Sequence, residues 1–127
     1  MSVQLNHTIV NVKDKRESAT FLCDILGLAP PTPYGPFLVA QVDNDVSLDY
    51  LDNPDGVHAQ HYAFLVEEHE FDEIFERIQA RGLAYWADPH KGKPSEVNTH
   101  DGGRGVYWEE PSGHLLEIIT RPYGSGD

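Results

Sequence analysis

The stretches LNHTIVNV (residues 5–12) and QHYAFLV (residues 60–66) decide the fold, because each is a strand-like run that carries a histidine near its start. In the first, alternation puts Leu5, His7, Ile9 and Asn11 on one face and Asn6, Thr8, Val10 and Val12 on the other. Asp14 then stands where a helix N-cap belongs, Phe21, Leu22, Ile25 and Leu26 form an apolar stripe at helical spacing, and Gly27 suits the left-handed end of a helix. After the second stretch, Phe71, Ile74, Phe75 and Ile78 fall at i, i+3, i+4 and i+7, and Gly82 closes the helix. His7 lies 20 residues before Gly27 and His61 lies 21 before Gly82, so one pattern is written twice.

Working outward, a Pro-rich turn (Pro30, Pro31, Pro33, Pro36) leads to strands over 37–42 and 46–51, joined by an Asp43-Asn44-Asp45 turn. The second half offers a short strand over 83–86, a loop over 88–103, and a hairpin of 105–110 with 114–120 around Pro111-Ser112-Gly113. Superposing NDVSLDYL on SGHLLEII sets Asp49 against Glu117. The expectation is a single α+β domain over 1–127: a first module at about 4–52, a linker at 53–58, a second module at about 59–121 and a tail at 122–127, with 124–127 disordered. Two βαβββ modules of this kind would form a curved, partly open antiparallel barrel with helices outside and a cleft within.

Composition narrows the partners. A formal charge of −12 repels phosphate backbones and anionic lipid, which argues against nucleic acid and membrane surfaces as partners and says nothing of the substrate. Cys23 is the sole cysteine, so neither an intrachain disulfide nor a multi-cysteine zinc site can be built. With no signal-peptide pattern at MSVQLNHTIV and no apolar run of membrane-spanning length, the expected location is the cytoplasm.

The chemistry comes from polar residues on half-apolar strand faces. His7 alternates with Leu5 and Ile9, His61 with Ala63 and Leu65, and Glu117 with Leu115 and Ile119. A carboxylate on such a face costs of order 2 kcal/mol or more unless it is paired, protonated or bound to a cation. Any one of the three alone reads as a hydrogen-bonded or salt-bridged residue. All three at repeat-related positions favour a 2-His-1-carboxylate metal site with open coordination positions. Antiparallel register in the final hairpin places Tyr107 opposite Glu117, on the same face, as either a catalytic phenol or a wall residue. His100, just ahead of that strand, either meets bound ligand or faces solvent.

At these residues the chain resembles the vicinal oxygen chelate superfamily, which includes glyoxalase I, fosfomycin-resistance thiol transferases, bleomycin-binding proteins and type I extradiol dioxygenases. The resemblance covers about residues 4–121, and the run NTHDGGRGVYWEEPSGHLLE (98–117) is similar to the extradiol branch. It implies His7, His61 and Glu117 as ligands of a divalent metal: Fe(II) first, with Mn(II), Zn(II) or Ni(II) as alternatives. It further implies Tyr107 and His100 as catalytic residues, a homodimer, and oxygen-dependent cleavage of a catechol-type ring beside its diol. Glyoxalase-like isomerase or lyase chemistry, fosfomycin-type thiol transfer and metal-free antibiotic binding are the alternatives. Two departures bear on the dioxygenase reading: most such enzymes have four modules, and Val46 stands nearer than His58 to the place of the branch's acid-base histidine.

Other candidates carry less. Asp49 could be a fourth ligand, but it is one methylene shorter than glutamate. His58, His69, His90 and His114 read as surface residues. Cys23 lies off the centre of its helix's apolar stripe, and Arg104 is a weak candidate for meeting an acidic substrate.

Overall fold

The structure is a computed structural model that describes residues 2–126. It divides into two compact units, residues 1–58 and 59–127. In the first, β1 (His7–Val12) leads into α1 (Lys15–Leu26), then β2 (Thr32–Tyr34), β3 (Phe37–Gln41) and β4 (Ser47–Asp52). In the second, β5 (His61–Leu65) leads into α2 (Glu68–Ala80), then β6 (Tyr85–Trp86), β7 (Gly105–Glu109) and β8 (Leu115–Ile119). The repeated βαβββ order is the one the sequence predicts.

Local chemistry sets the helix ends. The Asp14 carboxylate accepts the N–H groups of Arg16 and Glu17 at 3.0 and 3.2 Å, and Gly27, at φ +75°, donates its N–H to the Cys23 carbonyl. α2 begins with a capping box in which Glu70 accepts the Glu67 N–H at 2.8 Å.

Strand order is β1-β4-β3-β2 in one sheet and β5-β8-β7-β6 in the other. The sheets are mixed rather than wholly antiparallel, since β1 pairs with β4, and β5 with β8, in parallel. A helix and two hairpins lie between those partners, an even number of reversals that returns the chain in its original direction. The Pro-rich segment, expected as a turn, contains β2; it sits at the sheet edge, where a proline at Pro33 withholds no ladder hydrogen bond that an inner neighbour needs.

In the first unit α1 packs on β1, β3 and β4, burying Val10, Val12, Leu22, Ile25, Leu38 and Tyr50. In the second, Phe71, Ile74 and Ile78 of α2 and Val106, Trp108, Leu116 and Ile118 of the strands are buried. The faces bearing the two strand histidines are open instead: His7 and His61 are exposed, and Ile9 and Leu65 keep 46% and 62% of their surface. In the segment after β8, expected to be disordered from residue 124, the Asp101 carboxylate accepts the N–H groups of Gly124 and Gly126 at 3.0 and 3.3 Å. Asp127 lies outside the described residues. No helix among them is long and apolar enough to cross a membrane.

Candidate active site

Parallel pairing of β5 with β8 sets Ala63 beside Glu117, and antiparallel pairing of β7 with β8 sets Tyr107 opposite Glu117, as the hairpin register predicts. The central strand thus carries a carboxylate flanked by an imidazole and a phenol. His61 Nε2 lies 2.9 Å from Glu117 Oε1, and the His61 and Tyr107 rings are 5.6 Å apart. Glu117 is 1% exposed, whereas 44% of the His61 side chain is exposed, so the pair has an inner carboxylate end and an outer accessible end.

A residue that sequence reasoning passed over completes this cluster. The Tyr123 hydroxyl donates to Glu117 Oε2, and with that proton committed the Tyr107 hydroxyl donates to Tyr123, 3.1 Å away. Burial, then the bonds to Tyr123 and Glu117, pushes the Tyr107 phenol well above its usual range; burial and then Glu117 push Tyr123 up as well. Both phenols therefore keep their protons at neutral pH and act as donors. The only sequence cue to Tyr123 is an aromatic four residues beyond the last strand, which carries no periodicity to mark it.

His100 is exposed and edge-on to Tyr123, ring centroids 6.1 Å apart, and its N–H donates to Asn98 Oδ1 at 3.3 Å. His7 belongs to the first unit, where its Nδ1 lies 2.7 Å from Asn6 Oδ1. There it lines an open concavity of about 470 Å³ with Asn6, Ile9, Tyr34, Phe37 and Asp49. Asp49 holds the position equivalent to Glu117 but accepts the Ser47 hydroxyl at 2.9 Å. No cluster of three or more His, Cys, Asp or Glu side chains that could hold a metal occurs among the described residues. The second unit brings two of the three expected ligands together, and their nitrogen and carboxylate oxygen are donors that suit Fe(II), Mn(II), Zn(II) or Ni(II).

One side reading changes, and two residues set aside in sequence find their places. His114, expected at the surface, is 1% exposed, and its Nδ1 accepts the Gln60 N–H at 3.0 Å. Cys23 is also buried, its thiol pushed up to about 11 by burial and the neighbouring Asp24 charge. Arg104 is committed to Glu68 and Asp72, each at 2.9 Å, and lies 4.3 Å over the Phe71 ring, so it does not await an anionic ligand.

Residues 4–118 match the family model of the glyoxalase/bleomycin resistance protein/dioxygenase superfamily. The chain belongs to this superfamily. Among solved structures it is similar to the oxidase ChaP-H1, 64% identical with a TM-score of 0.95 over 97% of this chain and 99% of that one. The oxidase ChaP-H2 is 60% identical, with a TM-score of 0.96 over the full length of both chains. The glutathione transferase FosA of Serratia marcescens is 32% identical over 125 residues, 93% of this chain and 81% of that protein.

Proposed function

We propose that this protein is a divalent-metal-dependent enzyme that acts oxidatively on a small aromatic substrate bearing vicinal oxygens, with dioxygenase-like chemistry. The observation that carries the reading is the buried Glu117 held against His61 and faced by Tyr107, in a chain 60–64% identical to two oxidases over nearly its whole length. His61, Glu117 and His7 are the proposed ligands, with Fe(II) the metal expected first. When bound, such an ion supplies Lewis acidity and, as iron(II), reactivity toward dioxygen.

The protein's own residues supply position and protons. Glu117, a buried carboxylate, would hold a cation together with His61, whose exposed edge leaves this end of the pair accessible to a small molecule. Tyr107 is a protonated phenol beside the carboxylate, suited to donate to an oxygen that gains negative charge as the ring opens. His100, exposed and edge-on to Tyr123, contacts the substrate's rim. A homodimer is the expected assembly.

Thiol transfer of the fosfomycin type is the second reading, favoured by the 32% identity to FosA. One set of experiments separates the two: metal analysis of anaerobically purified protein, then oxygen uptake with a panel of catechols, and in parallel glutathione consumption with fosfomycin. Stoichiometric metal with oxygen uptake supports the oxidative reading. Metal with glutathione consumption alone supports the second, and protein that neither contains nor takes up a divalent metal refutes both.

A further inference from the structure

The C-terminal segment after β8 lies outside the βαβββ repeat, yet it delivers a hydroxyl to the most buried charge of the site. Pro122 turns the chain back, Arg121 donates to the Ser125 carbonyl at 3.2 Å, and the Ser125 N–H donates to the Pro122 carbonyl at 3.1 Å. Asp101 then clamps the segment through the N–H groups of Gly124 and Gly126. Asp101 itself is held at φ +57°, a conformation that costs a non-glycine residue energy and that Asp and Asn tolerate best. Between these anchors Tyr123 reaches Glu117 Oε2, while Oε1 faces His61 Nε2.

The two carboxylate oxygens therefore have different tasks. We infer that Tyr123 is a positioning residue: by occupying Oε2 it leaves only Oε1 for a cation, fixing Glu117 as a one-oxygen ligand, with Asp101 as the clamp that keeps Tyr123 in place. The inference rests on the proposed metal site and adds the way its carboxylate is oriented. A carboxylate free to use both oxygens takes two coordination positions, and one held by a phenol takes one, leaving an additional position for substrate. Removing an outer partner of a metal ligand commonly lowers metal affinity about 10- to 100-fold.

The test titrates Co(II) into the metal-free protein and its variants, reading affinity from competition with a chelator and ligand geometry from the visible absorption spectrum. Tyr123→Phe should bind Co(II) about 10-fold more weakly or worse, with an altered spectrum and a circular dichroism spectrum that shows the metal-free fold retained. Asp101→Ala should weaken binding in the same direction and speed hydrogen exchange at Gly124 and Gly126. Asp101→Asn, which keeps one acceptor oxygen and tolerates the left-handed backbone, should fall between that variant and the parent. If Tyr123→Phe binds with unaltered affinity and spectrum while the parent binds, Tyr123 does not position the ligand and the metal site stands. Tighter binding by that variant overturns the inference too, since the tail would then compete with the metal. A parent protein that takes up no Co(II), while Glu117→Ala behaves identically, removes the metal site itself.

Discussion

His114 offers a sharp test of how the site is held, because its side chain serves the backbone. At the start of the β5–β8 ladder the Leu115 N–H donates to the Gln60 carbonyl at 2.9 Å, and the Gln60 N–H donates to His114 Nδ1 at 3.0 Å. The imidazole thus stands in for the backbone carbonyl that would continue the ladder, and it fixes the residue just before His61. In His114→Leu the volume is roughly kept while that acceptor and the edge-on contact with Tyr62, centroids 5.8 Å apart, are lost. An unsatisfied N–H costs about 1–3 kcal/mol, and an aromatic pair contributes about 0.5–1.5 kcal/mol, so the expected loss is about 2–4 kcal/mol. His114→Asn, whose amide oxygen can accept the same N–H, should recover the hydrogen-bond part. Urea unfolding at fixed protein concentration measures the loss, and hydrogen exchange at Gln60 locates it. A His114→Leu variant within about 0.5 kcal/mol of the parent, with Gln60 still protected, would refute the reasoning.

Three further outcomes follow from the same contacts. Tyr107→Phe should lower kcat about 10²- to 10⁴-fold as a lost proton donor, with metal content retained because His61 and Tyr123 still hold Glu117; in the parent, the raised Tyr107 pKa means activity should show no loss near pH 10 from phenol ionisation. Cys23, at about 11, should resist thiol reagents at pH 8 in the folded protein and react on unfolding; being protonated more strongly when folded, it contributes stability present below its ordinary value of 9.0 and lost as pH rises toward 11, which denaturant midpoints across that window will read. Arg104→Ala should lower the melting temperature by a few degrees, and the gap should narrow in about 1 M salt, which screens its pairs with Glu68 and Asp72 but not its packing on Phe71.

The elements legible in the sequence were those with periodicity or turn chemistry. Asp14 and Gly27 marked the limits of α1, and the register that placed Tyr107 opposite Glu117 followed from the Pro111-Ser112-Gly113 turn and simple alternation. What escaped depended on contacts between residues distant in sequence. The second strand hid among prolines because an edge position relaxes the rule against them. His114 looked like a surface residue because its partner, the Gln60 N–H, lies 54 residues away, and Tyr123 carried no pattern because its place is set by Asp101, 22 residues earlier. Polar residues fixed by distant partners are invisible to local pattern, and here they support the ionisable cluster.

The repeat also explains why one half acquired the histidine–glutamate pair and the other did not. In both units the acid sits at the same register, beside the second residue after the strand histidine: Asp49 beside Ile9, Glu117 beside Ala63. Two local differences divide their fates. Glutamate's extra methylene carries its carboxylate to within 2.9 Å of His61, where the neighbouring small side chain of Ala63 leaves room. Aspartate is shorter, flanked by the bulkier Ile9, and its oxygen is taken by Ser47, which occupies the register position that Leu115 fills in the second unit. The first unit consequently keeps an apolar-walled hollow around His7, with Tyr34 and Phe37 at its sides, while the second concentrates charge and proton donors around Glu117. One register thus yields two environments, a partly apolar concavity in the first sheet and a buried carboxylate with hydroxyl donors in the second.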